Sequence, residues 1–257
     1  YNYLKITEEY SYNNNTPYAC INLRQNNFTN GTVRITKPGI YILKDNISFE
    51  PNPGNDFMPT GPQIASGQYP VGTQGAYHLG FFAAITIETT GVILDLNGKT
   101  IKQTTLHSLQ QRFYANIEMA SAPFIPAQGP ATFSTPSNFK AGEKVLIKNG
   151  VLGISSHHGI HGNTMKDIIL QNLSIKDFEV AGIALNGTIN SILDNITIKN
   201  TCNNCRVLST YSQSRFIKTF LQTVPTGTVI NGKGISDVIT DLSAALVEAK
   251  NAVMAGD

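Results

Sequence analysis

The chain has no tryptophan, only three cysteines, and few charges: Asp, Glu, Lys and Arg make up 14% of its 257 residues. Three cysteines, Cys20, Cys202 and Cys205, cannot complete a disulfide framework. No apolar run approaches the roughly 18 residues of a transmembrane helix, so no membrane span is expected. A net charge of +2 argues against nucleic acid as the main partner. No leader peptide is visible, and the first residue is Tyr1 rather than Met, which predicts trimming or processing. A helical period of ten residues is missing from each unit of the repeat at 146–198. At this length the chain can still bury a full core as one elongated domain.

What is present is a repeat. Leu146-Ile147-Lys148-Asn149-Gly150-Val151-Leu152, Ile169-Leu170-Gln171-Asn172-Leu173-Ser174-Ile175 and Ile192-Leu193-Asp194-Asn195-Ile196-Thr197-Ile198 follow one pattern. Their Asn recurs at 149, 172 and 195, a period of 23 residues. Apolar residues alternate on either side of the Asn, which marks strands meeting at a corner. Gly159-Ile160 and Gly182-Ile183 repeat at the same period. A fixed period of this size predicts an all-β right-handed parallel β-helix, a solenoid whose coils stack at about 4.8 Å. Aligned Asn149, Asn172 and Asn195 are expected to form an amide ladder. Weaker copies at Gly39–Leu43, Leu94–Ile101 and Val229–Ile235 extend the stack to about six coils, with Phe49, Ile101, Leu152, Ile175, Ile198 and Ile235 as core positions.

The spacing divides the chain. Residues 1–32 form an N-terminal extension or cap, 33–235 the β-helix, and 236–257 a C-terminal helix. That helix is N-capped by Ser236 and carries an apolar stripe of Val238, Leu242, Ala245, Leu246, Ala249 and Val253. It serves as a cap, an oligomer contact or a junction to more chain. Inserts at 50–82 and 103–141, rich in Pro, Gly, Ser and Gln, leave the stack at one register and so emerge on one side. A smaller insert occupies 202–222. Loops this long in a compact domain are usually functional or disordered.

Cys202-Asn203-Asn204-Cys205 has zinc-knuckle spacing, and His157, His158 and His161 offer nitrogen ligands. The register separates the two groups by two coils, roughly 10 Å, whereas zinc holds ligands at about 2.0–2.3 Å. A local disulfide or two free thiols fits better, and no metal or other cofactor is expected. Sequons at Asn14, Asn27, Asn30, Asn46, Asn172, Asn186 and Asn195 are weak evidence of glycosylation in an Asn-rich chain.

Ser155-Ser156-His157-His158-Gly159-Ile160-His161-Gly162 is the densest run of functional side chains. If Ile160 is core, His161 points out of the coil, and His157 and His158 lie in the preceding turn. Glu179 aligns with Ser156 one coil on, and Asp177 with Ile154. A His and a carboxylate about 5 Å apart across adjacent coils form an acid–base pair. The candidate catalytic set is therefore His157, His158, His161 and Glu179, facing the side of the inserts. A solvated turn without chemistry is the other reading.

The corners Lys148-Asn149-Gly150, Gln171-Asn172-Leu173 and Asp194-Asn195-Ile196, with Val92–Gly98, resemble the pectin-lyase-like superfamily of right-handed β-helices. Ile35-Thr36-Lys37-Pro38-Gly39-Ile40-Tyr41 resembles β-helix repeat proteins of large DNA viruses. The resemblance implies a carbohydrate-related or structural role on a virion or extracellular surface, with polysaccharide, glycan or other virion proteins as partners and a trimer among the possible assemblies. It does not carry a mechanism over. The polygalacturonase Asp-Asp pair and Arg-x-Lys are missing near His158–Gly162. Asp167, Asp177 and Asp194 do not share a register as pectate-lyase calcium ligands would.

Two functions remain open on the sequence. One is a structural or carbohydrate-binding protein using the loop side. The other is a polysaccharide-active lyase or glycoside hydrolase centred on His157, His158, His161 and Glu179. Convergence of these side chains in a roofed cleft favours the enzyme, and splayed histidines on a flat face favour binding or structure.

Overall fold

The computed structural model describes residues 18–71, 75–111, 113–129, 139–200 and 209–255. Strands β1 (Cys20–Leu23), β2 (Val33–Ile35), β3 (Gly39–Leu43) and β4 (Ile47–Phe49) come first. The short helix α1 (Gly61–Ala65) then precedes β5 (Ala83–Ile87), β6 (Thr90–Asp95) and β7 (Thr100–Gln103). Helix α2 (Thr105–Gln110) leads to β8 (Ala115–Glu118). The long strands β9 (Glu143–Leu152), β11 (Lys166–Lys176) and β13 (Ile189–Lys199) alternate with β10 (His158–Asn163) and β12 (Ala181–Asn186). Helix α3 (Ser209–Leu221), a ribbon of β14 (Val229–Ile230) and β15 (Lys233–Gly234), and helix α4 (Ile235–Ala255) complete the chain.

Two parallel sheets carry the fold. One runs β1-β3-β6-β9-β11-β13, with β7 pairing β4 and β9, and the other runs β12-β10-β8-β5-β2. One apolar cluster spans both sheets and includes Leu43, Ile85, Ile147, Ile160 and Leu170.

The 23-residue repeat is a strand-pairing register. Ile147 pairs with Leu170 and Leu152 with Ile175. Leu170 then pairs with Leu193 and Ile175 with Ile198. The Asn corners stack: Asn195 Nδ2 donates to Asn172 Oδ1 at 2.9 Å, and Asn172 Nδ2 to Asn149 Oδ1 at 3.2 Å. All three residues have left-handed backbone, φ 50, 51 and 60°, a conformation that Asn tolerates better than other side-chain-bearing residues. Gly159 is required for a different reason. A Cβ there would sit 2.5 Å from the Gly182 carbonyl oxygen on the next strand.

The all-β solenoid expectation is corrected. The structure is an α/β arrangement of two parallel sheets with four α-helices among the described residues, not a closed β-helix. The Pro-, Gly- and Gln-rich inserts misled, because they read as loops yet fold locally. Thr60 caps α1, accepting from the Gln63 amide, and Thr104 caps α2, accepting from the His107 amide. The expected sixth coil at Val229–Ile235 is an antiparallel ribbon running into α4. Register also slips at the start, where Ile47 rather than Phe49 pairs with Ile101.

The last strand departs from the expected core. Leu193 and Ile198 are 52% and 48% exposed, whereas Leu170 and Ile175 beside them are fully buried. Helix α4 packs on α3 instead of over β13. Its buried residues include Ile235 and Leu246. Among the described residues, no helix is long and apolar enough to cross a membrane.

Candidate functional site

The site grows from the pairing of β8 with β10. Their register sets Ile117 opposite Ile160 and Glu118 opposite His161. The two Ile side chains fill the core, so the residues that follow them point the other way, out of the sheet. His161 Nδ1 and Glu118 Oε2 then meet at 2.6 Å. Both residues are buried, the Glu118 side chain to 2% exposure.

The three histidines form a row. The rings of His157 and His158 stack at 4.0 Å between centroids, and those of His158 and His161 at 4.9 Å, nearly parallel. Ser155 fixes the preceding turn, its hydroxyl donating to the His158 carbonyl. The Ser156 hydroxyl donates to the Gln111 carbonyl, tying this turn to the segment after α2. Phe113 stands edge-on to His157 at 6.1 Å and to Phe124 at 5.4 Å. Phe216 of α3 backs Phe113.

These groups line a half-open pocket of about 190 Å³. Its aromatic side is Phe82, Phe113, Tyr114 and Phe124, with Pro123, Ile125 and Gln128 beside them. Its polar side is Glu118, the three histidines, Asn163 and Asn186. The volume is below the roughly 300–1,000 Å³ of pockets that enclose drug-sized ligands. The two amides are linked, Asn186 Nδ2 donating to Asn163 Oδ1 at 3.0 Å. Asn163 Nδ2 donates to the Pro123 carbonyl. Asn186 Nδ2 also lies 3.4 Å from His161 Nε2.

The electrostatics follow from burial. Desolvation pushes the Glu118 carboxyl above its usual range, and the adjacent His161 offsets only part of this. Burial alone lowers His161, but the charge and hydrogen bond of Glu118 outweigh it and leave this imidazole raised. His158 is pushed down to about 3 by burial, with its two imidazole neighbours adding to the effect. It is therefore neutral near pH 7. Glu118 Oε1 is buried without a hydrogen-bond partner among the described residues.

The arrangement can move a proton. A carboxylate on Nδ1 orients the imidazole and leaves Nε2 toward the cavity, the layout of a base with its orienting group. No Ser or Cys lines the cavity among the described residues. The proton would thus come from substrate or water.

His157, His158 and His161 all line this cavity, and Glu179 does not. The amide of Glu179 donates to the Ser155 carbonyl. The carboxylate beside His161 is Glu118, one strand in the opposite direction. Sequence reasoning missed it because β8 lay inside a segment read as an insert. The signal was slight: only Ile117-Glu118, an Ile followed by a titratable residue, matches Ile160-His161 in register. Asn163 and Asn186 were also missed, although they repeat at the same 23-residue interval.

Among the described residues, no group of three His, Cys, Asp or Glu side chains is placed to hold a metal ion. Cys202 and Cys205 lie outside the described residues, and Cys20 is a free, exposed thiol. Comparison with known protein families, curated proteins and solved structures finds no match. The expected pectin-lyase-like and virion assignments are corrected accordingly: no relative supports them, and the helices interleaved with the sheets depart from that architecture.

Proposed function

We propose that the cavity is the active site of a glycan-active enzyme in which His161, oriented by Glu118, transfers a proton at Nε2. The observation that carries this reading is the 2.6 Å His161–Glu118 contact at the wall of a half-open pocket. Such a pair serves general acid–base chemistry, worth typically about 10²–10⁴-fold in rate. The walls suit a sugar ring. Phe113 and Phe124 offer aromatic surface to its C–H face, while Glu118, Asn163 and Asn186 offer hydrogen bonds to hydroxyls. The histidines converge under residues of the 103–141 segment instead of splaying on a flat face, which favours catalysis over a purely structural or binding role.

The test is release of reducing ends from a panel of polysaccharides and oligosaccharides by the purified chain. His161→Ala is expected to lower the rate by 10²-fold or more, about the scale of lost acid–base catalysis, in a chain that circular dichroism shows still folded but with a lower melting temperature, because Glu118 loses its buried partner. Binding to a glycan without any turnover would return the site to a binding function.

A further inference from the structure

The amides beside His161 form a chain whose polarity is fixed from one end. Asn163 and Asn186 pair across β10 and β12, and both line the pocket. Asn163 is buried, and its Nδ2 donates to the Pro123 carbonyl at 3.2 Å. A carbonyl only accepts, so the Asn163 amide takes one orientation, with Oδ1 turned to Asn186. That oxygen in turn requires a donor, which is Asn186 Nδ2 at 3.0 Å. The same NH2 group has a second hydrogen, and its nitrogen lies 3.4 Å from His161 Nε2.

On the other side of the ring, Nδ1 meets Glu118 Oε2 at 2.6 Å. A carboxylate there takes an N–H from Nδ1, and a donor at Nε2 requires that nitrogen to be bare. The two contacts together fit one form of the ring, neutral with its hydrogen on Nδ1. Protonation at Nε2 would set an N–H against an N–H, and the Asn186 contact would be lost.

We infer that Asn186 is a positioning residue whose amide, oriented through Asn163 by the Pro123 carbonyl, holds His161 Nε2 as an acceptor and so sets this imidazole as a base rather than an acid. Glu118 favours the charged ring, and Asn186 favours the neutral one. An entering hydroxyl takes the place of the Asn186 N–H at Nε2. Its O–H bond then breaks, an Nε2–H bond forms, and the oxygen keeps the electron pair. This role in turnover rests on the reading of His161 as the proton-transferring group, whereas the chain of contacts does not.

The experiment is NMR titration of the His161 ring in the whole chain, from about pH 5 to about pH 9, across the histidine range. Wild type is compared with Asn186→Ala, Asn163→Leu and the double variant. Asn186 is exposed on the last strand of its sheet, so Asn186→Ala leaves the core intact. The other titratable groups lining the pocket, Tyr114, Glu118, His157 and His158, stay unchanged in all variants. His158 titrates far below this range and Tyr114 far above it, and His157 gives its own signals. Asn186→Ala is expected to raise the His161 midpoint by about half a pH unit or more, the scale of one hydrogen bond. Asn163→Leu is expected to raise it too, because the freed Asn186 amide can turn Oδ1 to a protonated Nε2. The double variant is expected to shift no further than Asn186→Ala alone, since Asn163 acts through Asn186. An unchanged midpoint in Asn186→Ala, or full additivity in the double variant, would overturn the inference. The Asn186→Ala arm stands even if Asn163→Leu fails to fold. Shifted midpoints in a chain that turns over no glycan would keep the positioning role and remove the catalytic reading.

Discussion

The imidazole of His161 lies 2.6 Å from the carboxylate of Glu118, a residue 43 positions earlier in the chain. Adjacent parallel strands bring the two together, and a buried carboxylate there changes how the imidazole titrates.

Glu118→Gln therefore lowers the pKa of His161. The raised value depends on the Glu118 charge and hydrogen bond, and burial alone acts the other way. NMR titration of the His161 ring in wild type and variant checks this. An unchanged midpoint would mean that the carboxylate does not control the imidazole.

Stability falls in acid for a related reason. His107 and His158 are both pushed from 6.5 down to about 3, chiefly by burial. The folded state takes up fewer protons than the unfolded one in this range. The stability these rings contribute is present above pH 6.5 and is lost as pH falls toward 3. Melting temperatures recorded from pH 7 to pH 4 are expected to drop, and His107→Gln to make the drop less steep. His161 has the opposite sign: its raised pKa gives a contribution that is present below its ordinary value and lost as pH rises through the folded value. An equal slope in wild type and His107→Gln would contradict the account for that ring.

The register makes a matched pair of core variants. Ile175 is fully buried and Ile198, its neighbour across the strands, is 48% exposed. Ile175→Ala is expected to cost about 2–5 kcal/mol, and Ile198→Ala under about 1 kcal/mol. Denaturant melts measure both. Equal losses would mean that β13 is covered in solution.

Asn172 separates backbone from ladder. Asn172→Leu forces a branched residue into left-handed backbone and removes both amide contacts, an expected loss of about 1–2 kcal/mol from the backbone alone. Asn172→Gly keeps the backbone free and loses only the amides, so it is expected to cost less. The reverse order would place the energy in the ladder.

The periodicity made the long strands legible. Period-2 alternation and the recurring Asn fixed β9, β11 and β13 against one another, along with the pairing of Gly159-Ile160 with Gly182-Ile183. The rest was hidden for physical reasons. Short capped helices such as α1 give no full helical period. Four-residue β8 sits between α2 and a Pro-rich stretch, which masks its alternation. Exposure of Leu193 and Ile198 could not be read from a pattern that is the same as that of buried Leu170 and Ile175, because an end strand differs only in lacking a neighbour. The His row was visible as composition, but its carboxylate partner came from the strand on its other side.

The most direct test of the central claim is the pH dependence of glycan turnover in wild type and Glu118→Gln. If His161 acts as the base, the rate rises as its imidazole loses a proton, above the ordinary histidine value of 6.5 because Glu118 raises it. Glu118→Gln then turns over more slowly, and its rising limb moves to lower pH. A rising limb that stays in place when Glu118 is replaced, or full activity in His161→Ala, would contradict the account.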